Sequence, residues 1–188
     1  MIIPGASAAA APMVVEGGKD GTTYVLNSHN LGGYNPSDSV VQEWSTAYGH
    51  WGGNVYYNNM LYLWSVQDVL RLYSFNGSKF SPFASGAYHV SPAFANGPAM
   101  SLSANGVKRG TAILWVAHSQ SGADNGNYPA LLHAYDATTG KELWNSGDVA
   151  ADYPGAWSKW TPPTIADGKV FLATFDSGVA VYGLLPVK

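Results

Sequence analysis

Residues 163–184 read PTIADGKVFLATFDSGVAVYGL. The segment is built of short apolar strands joined by tight turns. A short strand leads into Asp167-Gly168, a dipeptide that favours a two-residue hairpin because Gly accepts positive φ. The aromatic and β-branched run Val170 to Ala173 follows, of the composition that suits a pleated, half-buried strand. A polar turn then returns the chain through a strand carrying Tyr182.

The same grammar occurs elsewhere in the chain. Residues 54–77, NVYYNNMLYLWSVQDVLRLYSFNG, place a turn at Asn58-Asn59, a strand over Leu61 to Trp64 and a returning strand with Tyr73. Residues 99–140 place a turn at Asn105-Gly106, a strand over Ile113 to Val116 and a returning strand with Tyr135. A partial copy, MVVEGGKDGTTYVLNSHN (13–30), holds Tyr24 in the equivalent place. The intervals are 49 residues from Tyr24 to Tyr73, 62 from Tyr73 to Tyr135 and 47 from Tyr135 to Tyr182. The long interval contains the Gly/Ser/Asn loop Ser119 to Pro129. A period near 50 with three or four strands per unit predicts the blades of a β-propeller. No stretch sustains apolar residues at helical spacing. The best helix candidate, Ser65 to Tyr73, sits between two β-rich runs and fits a hairpin turn.

Composition agrees with an all-β fold. The chain has 188 residues, 13% aromatic and only 11% charged, with 22 Gly and 11 Pro. The net charge of −3 supplies no basic patch for a phosphate backbone, so nucleic acid is not an expected partner. Cys is 0, which excludes disulfides, Cys-ligated zinc and thiol nucleophiles. No apolar run reaches the roughly 18 residues that suggest a membrane helix. The first residues lack the basic start of a signal peptide; residues 1–11 read as a lead-in or as a first strand.

Residues 130–147, ALLHAYDATTGKELWNSG, carry a more specific signal. Tyr135, Asp136, Thr139, Gly140 and Trp144 form an A-Y-D-x-x-T-G-x-x-x-W pattern that resembles the PQQ-like, or quinoprotein-type, β-propeller repeat. The opening and closing segments resemble blades of the same superfamily. From the residues themselves, Asp136 and Thr139 are turn-formers, Gly140 suits a left-handed turn position and Trp144 is a buried anchor. The resemblance implies the same structural roles, with the Trp docked between blades. It also implies a periplasmic or secreted compartment.

Residues 12–188 read as one propeller domain, with approximate blades 12–46, 47–85, 86–148 and 155–188. The first lacks a clear innermost strand unless residues 1–11 supply it, and its outer strand is expected over Val40 to Trp44. The last shows three strands. Rings of this type usually hold seven or eight blades, so the chain resembles a C-terminal half. A half-ring exposes apolar faces and strand edges. Its expected remedy is a homodimer that closes the ring through a two-fold axis. A different partner chain or a compact four-bladed closure are the alternatives.

Three segments lead into innermost strands: Gly49 to Asn54, Ser85 to Pro98 and Gly155 to Pro163. They share one phase of the repeat and should converge at a channel mouth. Trp51, Tyr88, Trp157 and Trp160 are the candidate ligand-binding residues there, as platforms for a sugar or flat cofactor. His50, His89, Asp152 and Lys159 are the candidate catalytic groups, and His50 and His89 the candidate metal ligands. The competing reading makes these aromatics the filling of a dry channel. His29, His118 and His133 fall on outer or middle strands, where core or surface roles are expected. Calcium or a transition metal is the cofactor class the resemblance leaves open. PQQ itself is not expected from this chain alone, because the carboxylates form no spaced ligand set. Asp124 to Asn127 offers oxygen donors without the spacing of a calcium loop. Asn76-Gly77-Ser78 reads as a hairpin turn before a glycosylation site. The expected function is a homo-oligomeric binding or scaffold module. The alternative is an enzyme at the channel mouth, either a carbohydrate-active hydrolase or lyase, or a metal- or quinone-dependent oxidoreductase.

Overall fold

A computed structural model describes the chain except residues 6, 8, 9, 38, 47, 87–96, 123–127 and 185–188, and the side chains at 84–86. It is all-β, with four consecutive antiparallel sheets. The first sheet orders β1 (Ile2–Ile3), β2 (Met13–Gly17), β3 (Thr22–Asn27) and β4 (Val40–Ser45). The second holds β5 (Val55–Tyr57), β6 (Met60–Leu63), β7 (Leu70–Phe75) and β8 (Phe80–Gly86). The third holds β9 (Ala99–Ser103), β10 (Ile113–Ser119), β11 (Ala130–Asp136) and β12 (Glu142–Asn145). The fourth has three strands among the described residues: β13 (Thr164–Ala166), β14 (Lys169–Ala173) and β15 (Val179–Gly183). Within each sheet every strand pairs with its sequence neighbour, so each sheet is a meander closed by local turns.

The turns follow from the residues at them. Asn58 and Asn59 have φ of 47° and 62°, and Asp167 and Gly168 have 51° and 69°, as two-residue hairpin turns require. Asp136 Oδ1 accepts from the backbone N–H of Thr138 at 2.7 Å and of Thr139 at 3.0 Å, and Gly140 follows at φ 74°. Asn76 makes the same kind of turn, accepting from the N–H of Ser78 and of Lys79. Residues 65–69 form a turn into strand β7, with no helix there. Ile2–Ile3 supplies the innermost strand of the first sheet by pairing Ile2 with Val14.

Strand alternation gives each sheet two usable faces, and adjacent sheets stack face to face. Ile3, Val15 and Val25 of the first sheet pack on Leu61, Leu63 and Phe75 of the second. Tyr62, Trp64, Leu70 and Leu72 of the second pack on Leu114, Val116 and Tyr135 of the third. Ala117, Leu132 and Ala130 of the third pack on Val170 and Leu172 of the fourth. Outer-strand tryptophans fasten these junctions. Trp44 lies 4.9 Å from Tyr73 of the next sheet, and Trp144 lies 5.5 Å from Tyr182. Trp144 thus sits at a junction between sheets and is half-buried there. Among the described residues no buried cluster joins the fourth sheet to the first.

Candidate functional site

Two of the three lead-ins, Gly49 to Asn54 and Gly155 to Pro163, meet the start of β9 at one shallow cleft. Its volume is about 120 Å³, and Trp51, Gly52, Gly53, Ala99, Met100, Trp160 and Pro162 line it. Gly52 sits against the chain just before β9: a Cβ there would lie 2.1 Å from the Pro98 carbonyl oxygen. This contact brings the first lead-in against the start of the third sheet. The third lead-in adds Trp160, which holds a φ of 56°. A bulky residue in that left-handed region carries strain of about 1 kcal/mol or more.

Both tryptophans are open to solvent, Trp51 at 41% and Trp160 at 61% exposure. Each carries a cation: Lys19 Nζ lies 4.5 Å from the Trp51 ring centre, and Lys159 Nζ lies 5.4 Å from that of Trp160. An ammonium over an indole face is favoured by the ring quadrupole. The cleft is therefore an apolar slot lined by two exposed indoles, each in contact with a lysine that is not itself part of the lining.

The other expected site residues lie elsewhere. Trp157 is only 1% exposed and belongs to the core between the third and fourth sheets, so it offers no open platform. Its backbone N–H donates to the Tyr128 carbonyl, fixing the lead-in to the third sheet. His50 is buried beneath the rim, with Nε2 2.9 Å from Thr46 Oγ1 and 3.2 Å from Thr23 Oγ1. Burial pushes its pKa down, and the more distant Asp68, Glu16 and Asp20 oppose this only in part. A neutral His50 hydrogen-bonded to two hydroxyls is a strut between the first sheet and the lead-in. Asp152 ends a 3₁₀ turn, Ala150–Asp152, and its backbone carbonyl accepts from the Tyr182 hydroxyl at 2.8 Å. None of Asp152, Lys159, His50 and Trp157 lines the cleft. Tyr88, His89 and the loop Asp124 to Asn127 lie outside the described residues. Among the described residues no group of three or more His, Asp or Glu is placed to hold a metal ion.

Polar groups that the sequence did not single out as a unit do converge within the third sheet. His118 and His133 join through their Nε2 atoms at 2.8 Å, and Glu142 reaches His133 Nδ1 at 2.5 Å. The available signal was their shared face on neighbouring strands. It is readable only once the pairing of Val116 with His133 is known.

The class that fold and site define is an all-β protein of four stacked meander sheets with an aromatic cleft at the ends of its inner strands. No family model and no curated protein matches the chain. Among solved structures it is similar to the crystal structure of the computationally designed Ika4 protein, at 17% identity, 98% coverage of both chains and a TM-score of 0.58. The designed Ika8 protein aligns with 92% of this chain and 55% of its own, at 15% identity and a TM-score of 0.44. The first of these likenesses shows a shared fold and nothing about activity.

Proposed function

We propose that the chain is a PQQ-like β-propeller module of four blades, a half-ring that a second copy closes into eight, and that it serves as a binding or scaffold unit. One observation carries this reading: the two terminal sheets have outward faces that lack a stacking partner among the described residues. On the fourth sheet, Phe171, Val179, Val181 and Lys169 lie opposite the face that packs on the third. Val179 and Val181 are exposed. On the first sheet, Ile2, Val14, Leu26 and Val40 share the outward face with Tyr24, Glu16 and Glu43. Every internal junction stacks such a pair of faces. A second copy offers the missing one twice, in a closed two-fold arrangement. The charges also match, with Lys169 on one face and Glu16 and Glu43 on the other. Glu16 also meets the Met1 amino group at 3.5 Å.

Light scattering behind a sizing column tests this. A mass near twice 19.9 kDa is expected, and Val181→Asp should convert it to a folded monomer by placing a charge in the junction. A monomeric parent protein overturns the proposal.

The cleft supports a second reading, a small ligand held between Trp51 and Trp160. Among the described residues its lining carries aromatic and apolar groups, which suits binding of a flat or apolar ligand face. Soluble oligosaccharides that quench indole fluorescence in the parent but not in the Trp51→Ala, Trp160→Ala double variant would support it. Equal titrations for both proteins would sink it.

A further inference from the structure

We propose that His118, His133 and Glu142 form a buried proton-binding site, which holds one more proton in the folded chain than two neutral imidazoles and a carboxylate carry. The three side chains come from β10, β11 and β12 and lie on the face of the third sheet turned toward the second. His118 is 4% exposed and His133 is fully buried. They are diagonal neighbours, since Val116 pairs with His133 and His118 with Leu131.

Three contacts link the set. His118 Nδ1 lies 2.7 Å from the Ser119 carbonyl oxygen. His118 Nε2 lies 2.8 Å from His133 Nε2. His133 Nδ1 lies 2.5 Å from Glu142 Oε1. A carbonyl oxygen only accepts, so the first contact needs its hydrogen on His118 Nδ1. The other two contacts need one hydrogen each, whichever atom carries it. Three contacts therefore hold three hydrogens, while two neutral imidazoles bring one apiece. The third is an added proton. It makes one ring an imidazolium against the Glu142 carboxylate, and the set is then neutral as a whole. Leaving it out sets two lone pairs against each other, or a lone pair against a carboxylate, away from water.

The ring geometry favours a proton over a metal ion. The planes lie within 9° and the centroids 4.8 Å apart, so the rings meet through their Nε2 edges. A metal ion between two such lone pairs, at about 2 Å from each nitrogen, would hold them about 4 Å apart. The spacing of 2.8 Å is that of a hydrogen bond.

Tyr135, on the same strand as His133, stacks on it at 5.8 Å. From the second sheet Trp64 covers His118 at 6.0 Å. Trp64 Nε1 donates to the Asp68 carbonyl, and the Asp68 carboxylate is engaged by Arg71 at 2.6 and 2.7 Å. Glu142 is a carboxylate in direct contact with the His133 ring.

The consequence is a pH-dependent junction between the second and third sheets. The folded set keeps its proton above the pH at which a free imidazole, of pKa about 6.5, releases it. The stabilisation is fully present below about pH 6.5 and is lost as pH rises through the folded value, which belongs to the set as a whole. Between the two values the unfolding constant rises about tenfold per pH unit for one proton.

Two measurements test the proposal. Imidazole ¹⁵N and Glu142 carboxyl ¹³C resonances of the parent protein at pH 8 should show one added proton among the three groups. Two neutral rings beside an ionised carboxylate would overturn it, as would a metal ion retained at one per chain whose removal by chelator changes these resonances. Unfolding constants should also be compared between pH 6.5 and 9 with those of Glu142→Gln, whose amide donates to His133 Nδ1 and removes the need for the extra proton. The parent curve should climb more steeply, approaching a tenfold difference per pH unit over part of the range. Parallel curves would refute the assignment.

Discussion

Two tyrosines in one buried cluster should respond with opposite sign to the loss of the same atom. Tyr62 and Tyr135 are each 1% exposed and pack together between the second and third sheets. Tyr62 donates its hydroxyl to the Ala137 carbonyl at 2.6 Å. The Tyr135 hydroxyl is buried and has no hydrogen-bond partner among the described residues. Burial raises the pKa of both phenols far above the ordinary range, so each stays neutral at any working pH. Replacement by Phe keeps the ring and its stacking. In Tyr135→Phe it removes a group whose desolvation is uncompensated, a gain of about 1–3 kcal/mol. In Tyr62→Phe it removes a hydrogen bond of about 0.5–1.5 kcal/mol net, with more lost if the Ala137 carbonyl stays unsatisfied. For a chain of this size about 2–4 °C in Tm accompanies each kcal/mol. Tyr135→Phe should therefore melt several degrees higher than the parent protein and Tyr62→Phe a few degrees lower. Equilibrium denaturation in urea with unchanged m-values checks both. A loss of stability in Tyr135→Phe comparable to that in Tyr62→Phe would refute the reasoning.

Further expectations concern the lead-in to the second sheet. Because burial lowers the His50 pKa, the unfolded chain takes up a proton there that the folded chain resists. Stability therefore falls as pH drops below about 6.5, by up to tenfold in the unfolding constant per pH unit. His50→Gln should flatten that acid limb in denaturation curves between pH 4 and 7; an unchanged limb would remove His50 as its cause. Gly52→Ala should destabilise by at least about 1–3 kcal/mol, since its Cβ meets the Pro98 backbone oxygen at 2.1 Å. It should also shift the emission of the neighbouring Trp51, and a variant with parental stability and spectrum would show that this approach is slack.

The strands and turns were legible because they are local. Asn58-Asn59, Asp167-Gly168 and the Asp136 to Gly140 turn each dictate their own backbone, and the recurring tyrosines mark equivalent strands. The outer strand of the first sheet was anticipated over Val40 to Trp44 and runs Val40–Ser45. The three strands of the last sheet were also readable. The strand Ile2–Ile3 is ambiguous in the sequence, since two residues carry no periodicity and pair only with β2.

The site was less legible. Trp51, Trp157 and Trp160 occur in similar Gly-rich lead-ins, yet Trp157 is sealed in the core between the third and fourth sheets while the other two line the cleft. The pairing of His118 with His133 leaves no mark in the sequence around either histidine. The Ser119 to Pro129 loop hides the register that makes them neighbours.

The sequence by itself determined an all-β chain of four repeating units, because turn chemistry and strand alternation act over a few residues. Only the tertiary structure decided which face of each sheet is covered and which aromatic rings stay open. It also brought the imidazoles of His118 and His133 to within 2.8 Å of each other. Those outcomes depend on stacking one sheet on the next, and stacking brings together residues whose separation along the chain carries no local signal.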